Sequence, residues 1–353
     1  MSINISNRLT ALAIEGDGHE IGKSLGRQGA AAAHHHLVRT HAWAVVTSFC
    51  DSERVATALS LTEKHYPQYL QELHGLAEGL DLPFEKVFAW NCRGDVWAMS
   101  PDGCTTVQLP GDGPIVAHNE DGDPGLRAGC AIATVRPDQG RAFSAFVYPA
   151  SLPGHTFAVN DAGLVVTVNN IRSRQSGDGL PRMILTRALL DCASPEEALD
   201  LLRSMPRSGA FHLSLACPGV KNIFSVEFTH GHISVVPVIT PSSHANHLIH
   251  DPMKKEKQVV TASSRARQRR GDAMIALAGE AGVEPLAILR DTHDTALPIY
   301  RAQPDDPDNE NTLATAHFAV GTDNVECTVY DSAESVPRFR FSNDALVSHE
   351  DIE

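Results

Sequence analysis

The sequence predicts a layered α+β fold, and three observations carry this prediction. The first third of the chain has apolar residues at helical spacing. After Cys104 the pattern changes to short β-rich runs bounded by Gly, Pro, Asn or Asp. Two helical segments then interrupt the strands before further strands follow. Strands and helices that occur in separate runs are typical of sheets covered by helices.

The first third is predicted to be mostly helical. Glycines at 22, 26 and 29 are interpreted as breaks that precede an Ala-rich helix over 30–45. Apolar residues at helical spacing predict another helix over 52–79. Pro67 should bend or divide this second helix, because its ring clashes with the preceding turn.

The remaining elements follow from residue type and from turn signals. Strands of apolar and β-branched residues are predicted over 9–14, 105–109, 115–118, 131–135, 143–147, 164–169, 210–216, 223–228, 233–238, 312–320, 325–331 and 338–341. Further helices are predicted over 84–92, 181–192, 195–205, 263–279 and 285–290. The Pro and Gly residues at 110–114 predict a turn, so the strands on either side of it should form a hairpin.

The pair Gly103-Cys104 opens the first strand of this hairpin and suggests self-cleavage. A cysteine thiol can attack the carbonyl of the preceding peptide bond and form a thioester, which water then hydrolyses. Gly103 favours this step because it tolerates unusual backbone angles and has no side chain to block the attack. Cleavage would leave Cys104 with a free α-amine of pKa about 7.7–8, which can activate a thiol of pKa about 8.5.

Polar residues at strand ends could complete this site. Asp121 ends the second strand of the hairpin, so hairpin geometry returns it beside Cys104, where it could hold the α-ammonium group. Asn170 ends a later strand and Asn246 lies in a His-rich loop, and amide donors at such positions can stabilise an oxyanion. The alternative for 119–124 is an ordinary turn, because the segment is rich in turn-forming residues.

The order of these motifs resembles a known family. Cys-Thr-Thr at 104–106 is followed by a Leu-Pro-x-x-Gly turn and by Asn-x-Asp at 119–121. This pattern resembles the acyl-CoA:6-aminopenicillanate acyltransferase-like family of N-terminal-nucleophile hydrolases, which is related to the choloylglycine hydrolases. The segments 22–29, 66–79 and 90–93 also resemble the family's pro-region. The resemblance implies a four-layer αββα sandwich.

The resemblance also implies a role for individual residues. Cys104 would be the nucleophile and, together with Gly103, the autocleavage site. Asp121 would position the α-amine of Cys104. Asn246 resembles the family's oxyanion-hole asparagine, and Asn170 resembles the asparagine that flanks the nucleophile in choloylglycine hydrolases.

Substrate contacts are expected from Arg267, His118 and Thr106. Arg267 falls where the choloylglycine branch has an active-site arginine, although the Arg-rich register leaves Arg265 open. His118 departs from the bile salt hydrolases, which have an arginine at this position. Glu120 stands where the fungal acyltransferase has an aromatic residue. Both departures leave the choice of substrate open.

Self-cleavage would divide the chain into a helical fragment, 1–103, and a β-fragment, 104–353. The two fragments are expected to stay associated within one domain, because amphipathic helices need the sheet layer to bury their apolar faces. The expected partner is a small N-acyl amide or an amine, and a homo-oligomer is left open. This chemistry requires no cofactor and no metal.

Composition excludes several classes of partner. A net charge of -14 argues against nucleic acid, whose phosphates need clustered Lys and Arg. No apolar run approaches the ~20 residues of a membrane span. The first ten residues lack the features of a signal peptide, and the seven cysteines form no Cys-x-x-Cys pair. A cytoplasmic location is therefore expected.

Several functions remain open. The leading one is hydrolysis of an amide C–N bond through a thioester on Cys104, and transfer of the acyl group to an amine or CoA thiol would make the protein an acyltransferase. A binding or scaffold protein without self-cleavage is the non-enzymatic alternative. The 18 histidines also suggest a metalloenzyme. Consecutive histidines at 34–36 would point to different faces of a helix, however, and the resemblance assigns the loop with His244 and His247 to the active-site wall.

Overall fold

A computed structural model describes residues 8–101, 103–279, 282–334 and 336–349, so the start of the first expected fragment and the end of the second lie outside the described residues. The helices of this part are α1 Gly18–His35, α2 His41–Thr47, α3 Glu53–His65, α4 Pro67–Leu80, α5 Phe84–Asn91, α6 Arg93–Val96, α7 Arg182–Leu189, α8 Pro195–Ser204, α9 Ala262–Ala278 and α10 Pro285–Leu289. Its strands are β1 Thr10–Gly16, β2 Gly103–Leu109, β3 Ile115–Gly122, β4 Ala131–Pro137, β5 Phe143–Val147, β6 Phe157–Asn160, β7 Val165–Asn170, β8 Phe211–Ala216, β9 Ile223–Phe228, β10 Ile233–Val238, β11 Ser242–His244, β12 Asn311–Val320, β13 Val325–Tyr330, β14 Phe339–Ser342 and β15 Ala345–His349.

The strands form two large sheets. One sheet has the order β1-β4-β5-β6-β7-β8-β9-β10, and the other has the order β11-β2-β3-β12-β13-β14-β15. Strand β1 pairs with β4 in parallel, and the remaining described pairs are antiparallel. The mixed α+β architecture confirms the predicted fold class.

Side chains of the two sheets meet in a shared interior. The amide of Gln108 in β2 donates a hydrogen bond of 2.7 Å to Ser214 in β8. The rings of Phe157 and Phe318 lie 6.2 Å apart across the same interface. Helices α9 and α10 contact β2 of one sheet, whereas α1 contacts β1 and β4 of the other. Two large sheets with such helices are consistent with an N-terminal-nucleophile fold.

Helix α1 begins well before the three glycines, so the prediction of a helix over 30–45 was wrong. The glycines are the contact surface between α1 and α4 rather than breaks. A Cβ atom at Gly22 would overlap the backbone carbonyl of Glu72, and one at Gly75 would overlap the carbonyl of His19. Glycine therefore allows the two helix backbones to approach closely.

The other predictions for the first third are close to the structure. Pro67 divides the predicted long helix, because α3 ends at His65 and α4 begins at Pro67. Helix α2 is separate from α1 because Thr40 caps it, accepting a hydrogen bond of 3.1 Å from the backbone N–H of Trp43. None of the described helices combines the length and hydropathy needed to cross a membrane.

The predicted hairpin is present, and its register defines the surroundings of Cys104. Strands β2 and β3 pair antiparallel, with Gly103 opposite Asp121 and Cys104 opposite Glu120. Three observed strands, β6, β11 and β15, were not predicted, because they have only three to five residues and lack a clear alternation. The short strand β11 extends the sheet at its edge beside β2.

Candidate active site

Strand β2 directs alternate side chains to opposite faces of its sheet. Thr106 faces the other sheet, because its hydroxyl donates a hydrogen bond of 2.8 Å to Asn169 in β7. Cys104 lies on the same face two residues earlier and is buried. Thr105 lies on the opposite face, where it contacts Arg267 of α9. The Cys104 side chain is thus at the end of the interior between the sheets. The main chain of Cys104 contacts Arg267 of α9.

Two of the predicted asparagines hold the chain on either side of the Gly103–Cys104 bond. The backbone N–H of Cys104 donates a hydrogen bond of 2.9 Å to Asn246 Oδ1. The side-chain amide of Asn170 donates to the carbonyls of Ser100 and Pro101, each at 3.3 Å. Asn246 Nδ2 in turn donates to the carbonyl of Asn170 at 3.1 Å. Asn246 thus presents its oxygen to Cys104, and its role as an oxyanion donor stays a prediction.

Arg267 reaches the nucleophile, whereas Arg265 is exposed. The guanidinium of Arg267 donates a short hydrogen bond to the carbonyl of Cys104 and another, of 2.8 Å, to the hydroxyl of Thr105. It also donates to Asn246 Oδ1 at 2.6 Å. These contacts hold the main chain at the nucleophile, and a contact with the substrate stays a prediction.

Asp121 lies opposite Gly103 and is fully buried. Its Oδ1 accepts a hydrogen bond of 2.7 Å from Thr312, while its Oδ2 has no hydrogen-bond partner in the described part of the chain. Burial raises the pKa of Asp121, and the guanidinium groups of Arg267 and Arg301 oppose this rise. A buried carboxylate oxygen beside the predicted cleavage site therefore lacks a donor.

Gly103 lies against a network of ion pairs that was not predicted from the sequence. The Arg301 guanidinium lies 2.5 Å from the Glu310 carboxylate, and Arg172 lies 3.4 Å from the other oxygen of Glu310. A Cβ atom at Gly103 would overlap Glu310 and lie 3.0 Å from Arg301. The run of acidic residues over 305–310, close after Arg301, was the available sequence signal.

On the interior face, Glu120 joins Cys104 to a polar cluster. The Cys104 thiol lies 3.8 Å from Glu120 Oε2, and His118 Nε2 lies 3.2 Å from the same oxygen. His118 Nδ1 is hydrogen-bonded to Thr106 at 2.8 Å, and Tyr148 donates to Glu120 Oε1 at 3.0 Å. Burial lowers the pKa of His118 to about 3, so its imidazole is neutral. The predicted substrate residues His118 and Thr106 thus contact each other and Glu120.

One set of side chains in the described ranges has the composition and spacing of a metal site. The ligand atoms of Cys104, His118 and Glu120 lie within 4.8 Å of one another. The histidines considered from the sequence behave differently: His34 bonds the carbonyl of Leu80, and His36 bonds Asp123.

The His-rich loop also has protein partners. His244 Nε2 lies 2.9 Å from Glu227, and His250 Nε2 lies 3.0 Å from the hydroxyl of Ser225. His247 is hydrogen-bonded to Ser264 at 2.8 Å. These histidines therefore have protein partners, and Glu227 also lies 3.9 Å from His250 Nδ1.

A cleft with an accessible volume of about 120 Å³ adjoins the site. Tyr148, which contacts Glu120, forms part of its wall, as do Pro101 and Glu310 beside the predicted cleavage site. The cleft therefore runs from the surface toward the end of β2 and can admit a small molecule. Its other lining residues are Leu37, Thr40, Ala42, Trp90, Arg93, Asp123, Leu126, Pro149, Ser151, Asp308 and Asn309.

Comparison with known proteins gives two matches. Residues 109–334, more than half of the chain, match the family model described as acyl-coenzyme A:6-aminopenicillanic acid acyl-transferase. A beta-alanyl-dopamine/carcinine hydrolase of Drosophila melanogaster is 27% identical over 167 residues, which cover 41% of this chain and 43% of the relative. The chain thus spans less than half the length of that relative. The family match begins after Cys104, so it includes Asp121 and Arg267 but not the predicted nucleophile.

Proposed function

Because the chain belongs to the acyl-coenzyme A:6-aminopenicillanic acid acyl-transferase family, we propose that it is a self-cleaving hydrolase of small N-acylated amides. The family and the Drosophila hydrolase support hydrolase or acyltransferase activity. Within that activity, we assign the nucleophile to Cys104 and expect its acyl group to be released to water. Transfer of the acyl group to an amine or a CoA thiol is the alternative outcome of the same chemistry.

The unpartnered oxygen of Asp121 is the observation that carries this proposal. A buried polar atom without a hydrogen bond costs about 1–3 kcal/mol, so such atoms are rare without a functional reason. Asp121 lies directly opposite Gly103, at the bond whose cleavage would create an ammonium group on Cys104. That ammonium would give Asp121 Oδ2 the hydrogen-bond donor it lacks.

The cleavage step follows from the surroundings of this bond. The Cys104 sulfur attacks the carbonyl carbon of Gly103, the C–N bond breaks, and the nitrogen takes a proton to become the amine. Water then hydrolyses the resulting thioester, which gives a carboxylate on Gly103 and restores the thiol. Asn170 holds the segment before the bond and Asn246 holds the nitrogen after it, so the reacting groups start in a fixed arrangement.

The same groups would then act on a substrate. The thiol gives its proton to the α-amine and attacks the amide carbonyl, and the leaving amine takes that proton as the C–N bond breaks. Water, deprotonated by the α-amine, hydrolyses the acyl thioester on Cys104. Asp121 keeps the α-amine oriented through both steps.

We also propose that the two fragments form one four-layer αββα domain. Strand β1 of the first fragment pairs with β4 of the second from Thr10 to Gly16. Arg187 of the second fragment lies 3.0 Å from Glu72 of the first, and both side chains are buried. Separating the fragments would break a sheet and a buried ion pair, which favours their association.

Mass spectrometry and N-terminal sequencing of the purified protein test the cleavage. We expect two co-eluting fragments, the second of which begins at Cys104. Cys104→Ala should remain a single chain without amidase activity, whereas Cys50→Ala, at a half-buried cysteine outside the site, should cleave and turn over like the wild type. An active preparation of intact chains, or an active Cys104→Ala variant, would overturn the proposal.

A further inference from the structure

We propose that Cys104, His118 and Glu120 form a binding site for one zinc ion, and that zinc bound there inhibits the enzyme reversibly by occupying its thiol. The inhibition rests on the proposed function, because it requires Cys104 to be the nucleophile. The binding of zinc does not, because it depends only on where three side chains lie. The two parts of the proposal can therefore be tested separately.

The hairpin brings the three side chains to one face of its sheet. Cys104 lies opposite Glu120 in the register of β2 and β3, and His118 lies opposite Thr106. Residues two positions apart in a strand face the same side, so His118 and Glu120 project together from β3 beside Cys104 of β2. Each of the three residues is at most 2% exposed. The pairing of the two strands thus holds three potential zinc ligands in place.

The distances between the ligand atoms fit zinc. Bonds of about 2.3 Å to sulfur and about 2.0–2.2 Å to nitrogen and oxygen, in tetrahedral geometry, place neighbouring ligand atoms about 3.3–3.7 Å apart. Cys104 Sγ lies 3.8 Å from Glu120 Oε2, and His118 Nε2 lies 3.2 Å from the same oxygen. The ligand atoms of all three residues lie within 4.8 Å of one another. A thiolate, an imidazole and a carboxylate are also the ligand types that zinc takes in proteins.

Hydrogen bonds fix which nitrogen of His118 carries the lone pair. The side-chain amide of Asn169 donates to the carbonyl of His244, so the oxygen of Asn169 is the group that accepts the hydroxyl hydrogen of Thr106. The Thr106 oxygen then accepts the Nδ1 hydrogen of His118. The His118 ring is neutral, so its Nε2 turns a lone pair toward the Glu120 carboxyl group.

Two electron pairs that face each other need a positive charge between them. In the metal-free protein a proton on Glu120 supplies this charge to His118 Nε2. A zinc ion in the same place supplies it as well and gains Cys104 Sγ as a third ligand. Metal-binding histidines usually donate their other ring N–H to a neighbouring acceptor, and His118 donates its own to Thr106. The protein therefore already holds His118 in the form that binds a metal ion.

Tyr148 connects this site to the cleft. Its hydroxyl donates to Glu120 Oε1 at 3.0 Å, while Oε2 is the oxygen that faces Cys104 and His118. Tyr148 also lines the cleft, so an ion has a route to the carboxyl group. Three protein ligands leave the fourth tetrahedral position of zinc for a water molecule.

Zinc would replace two protons. The S–H bond of Cys104 and the O–H bond of Glu120 break, Zn–S and Zn–O bonds form, and both protons pass to the solvent. A thiolate and a carboxylate then balance the two positive charges of the ion, which suits a buried site. The sulfur electron pair that would attack the Gly103 carbonyl or a substrate amide is held by zinc, so both reactions stop.

A zinc titration of turnover tests the inhibition. Cleaved wild-type enzyme is freed of metal with EDTA, and its rate on an N-acyl 4-nitroanilide that it hydrolyses is measured at buffered concentrations of free zinc. We expect a dissociation constant of about 1 µM, since three protein ligands bind more weakly than the four of a structural site, so about 10 µM free zinc should lower the rate about 10-fold. EDTA should restore the rate. Magnesium at the same concentration is the control, because it prefers oxygen ligands and should have no effect.

Cobalt binding tests the site without any need for activity. Cobalt(II) bound by a thiolate has a strong sulfur-to-metal charge-transfer absorption, which would identify Cys104 as a ligand. We expect the wild type to bind one equivalent with this absorption and Cys104→Ala to lack it. Glu120→Gln and His118→Gln should each weaken cobalt binding by at least about 10-fold, and should weaken inhibition by zinc, relative to the variant's own metal-free rate, to the same extent.

Cys50→Ala and His250→Gln are the matched controls, because they remove a thiol and a histidine that lie outside the site. Both should bind cobalt and respond to zinc like the wild type. If Glu120→Gln does not cleave, its cobalt absorption still tests the site, since that measurement applies equally to the uncut chain.

A wild-type protein without the charge-transfer absorption would overturn the zinc site. Cobalt binding and zinc inhibition that are unchanged in both Glu120→Gln and His118→Gln would also overturn it, because zinc would then bind the thiol without these ligands. An active enzyme that zinc does not inhibit would refute the inhibition and leave the proposed function intact. An inactive protein that binds cobalt through Cys104 would support the site and contradict the proposed function.

Discussion

At the scale of single residues, Gly103 has little room for a side chain. The space that a side chain would need is filled by Glu310 and Arg301, which are locked to each other and to Arg172 and Asp306. The tips of long side chains can usually move aside, but here movement would break a buried ion network. Packing therefore requires glycine at position 103, and the missing side chain also leaves the Gly103 carbonyl accessible to the thiol.

Gly103→Ala should slow self-cleavage by at least about 10-fold, because a misplaced carbonyl loses the proximity advantage of the thiol. A time course of fragment formation on denaturing gels measures the rate. Gly113→Ala is the matched control, since a Cβ at Gly113 would meet nothing within 4 Å. Equal rates for the wild type and Gly103→Ala would contradict this steric argument.

Much of the candidate site could be predicted from motifs, and the rest could not. Cys104, Asp121 and Asn246 stand in recognisable local patterns, and the structure brings them together. Glu310 and Tyr148 come from a loop and a strand end, and no local spacing marks them as neighbours of Cys104. Their positions follow from the packing of two sheets, which a single sequence does not encode locally.

At the scale of elements, the glycines at 22, 26 and 29 led to a wrong prediction of where α1 begins. Glycine weakens a helix, so a series of glycines favours a break. In α1 the loss of helix propensity is offset by close contact with α4, whose Gly75 and Gly79 face the backbone at His19 and Lys23. The strands were predicted more accurately, because turn-forming residues bound most of them.

Gly22→Ala should destabilise the protein by more than about 2 kcal/mol, although alanine is the better helix former. The added Cβ would overlap the backbone carbonyl of Glu72, and a backbone atom cannot rotate away. Urea unfolding of the Cys104→Ala chain, which remains intact, measures the free energy. Ala31→Leu, on the exposed side of the same helix, should have little effect, and a neutral or stabilising Gly22→Ala would contradict the helix contact.

At the scale of the whole molecule, three buried histidines have pKa values below the ordinary one. Burial lowers the pKa of His118 to about 3, and it lowers the pKa of His155 and of His212 well below the ordinary value. In the unfolded chain these histidines take up protons below pH about 6.5. Each of them therefore stabilises the fold at neutral pH relative to acid, and this contribution falls as pH drops from about 6.5 toward the folded pKa.

His118→Gln should reduce the acid sensitivity of stability. Between pH 7 and pH 5 the wild-type residue costs the fold about 2 kcal/mol, because only the unfolded state gains the proton. The difference in unfolding free energy between these pH values should shrink by about this amount in the variant, again in the Cys104→Ala background. Exposed His35→Gln is the control, and an unchanged difference in His118→Gln would show that His118 is charged in the fold.

The hydrogen bonds from Asn170 to the carbonyls of Ser100 and Pro101 have a kinetic consequence. Pro101 lines the cleft, so the uncut chain obstructs the route that a substrate would use. On the proposed mechanism, intramolecular self-cleavage releases this segment and frees the route into the cleft. Activity should then appear with first-order kinetics after synthesis. Its rate constant should be the same in dilute and in concentrated protein.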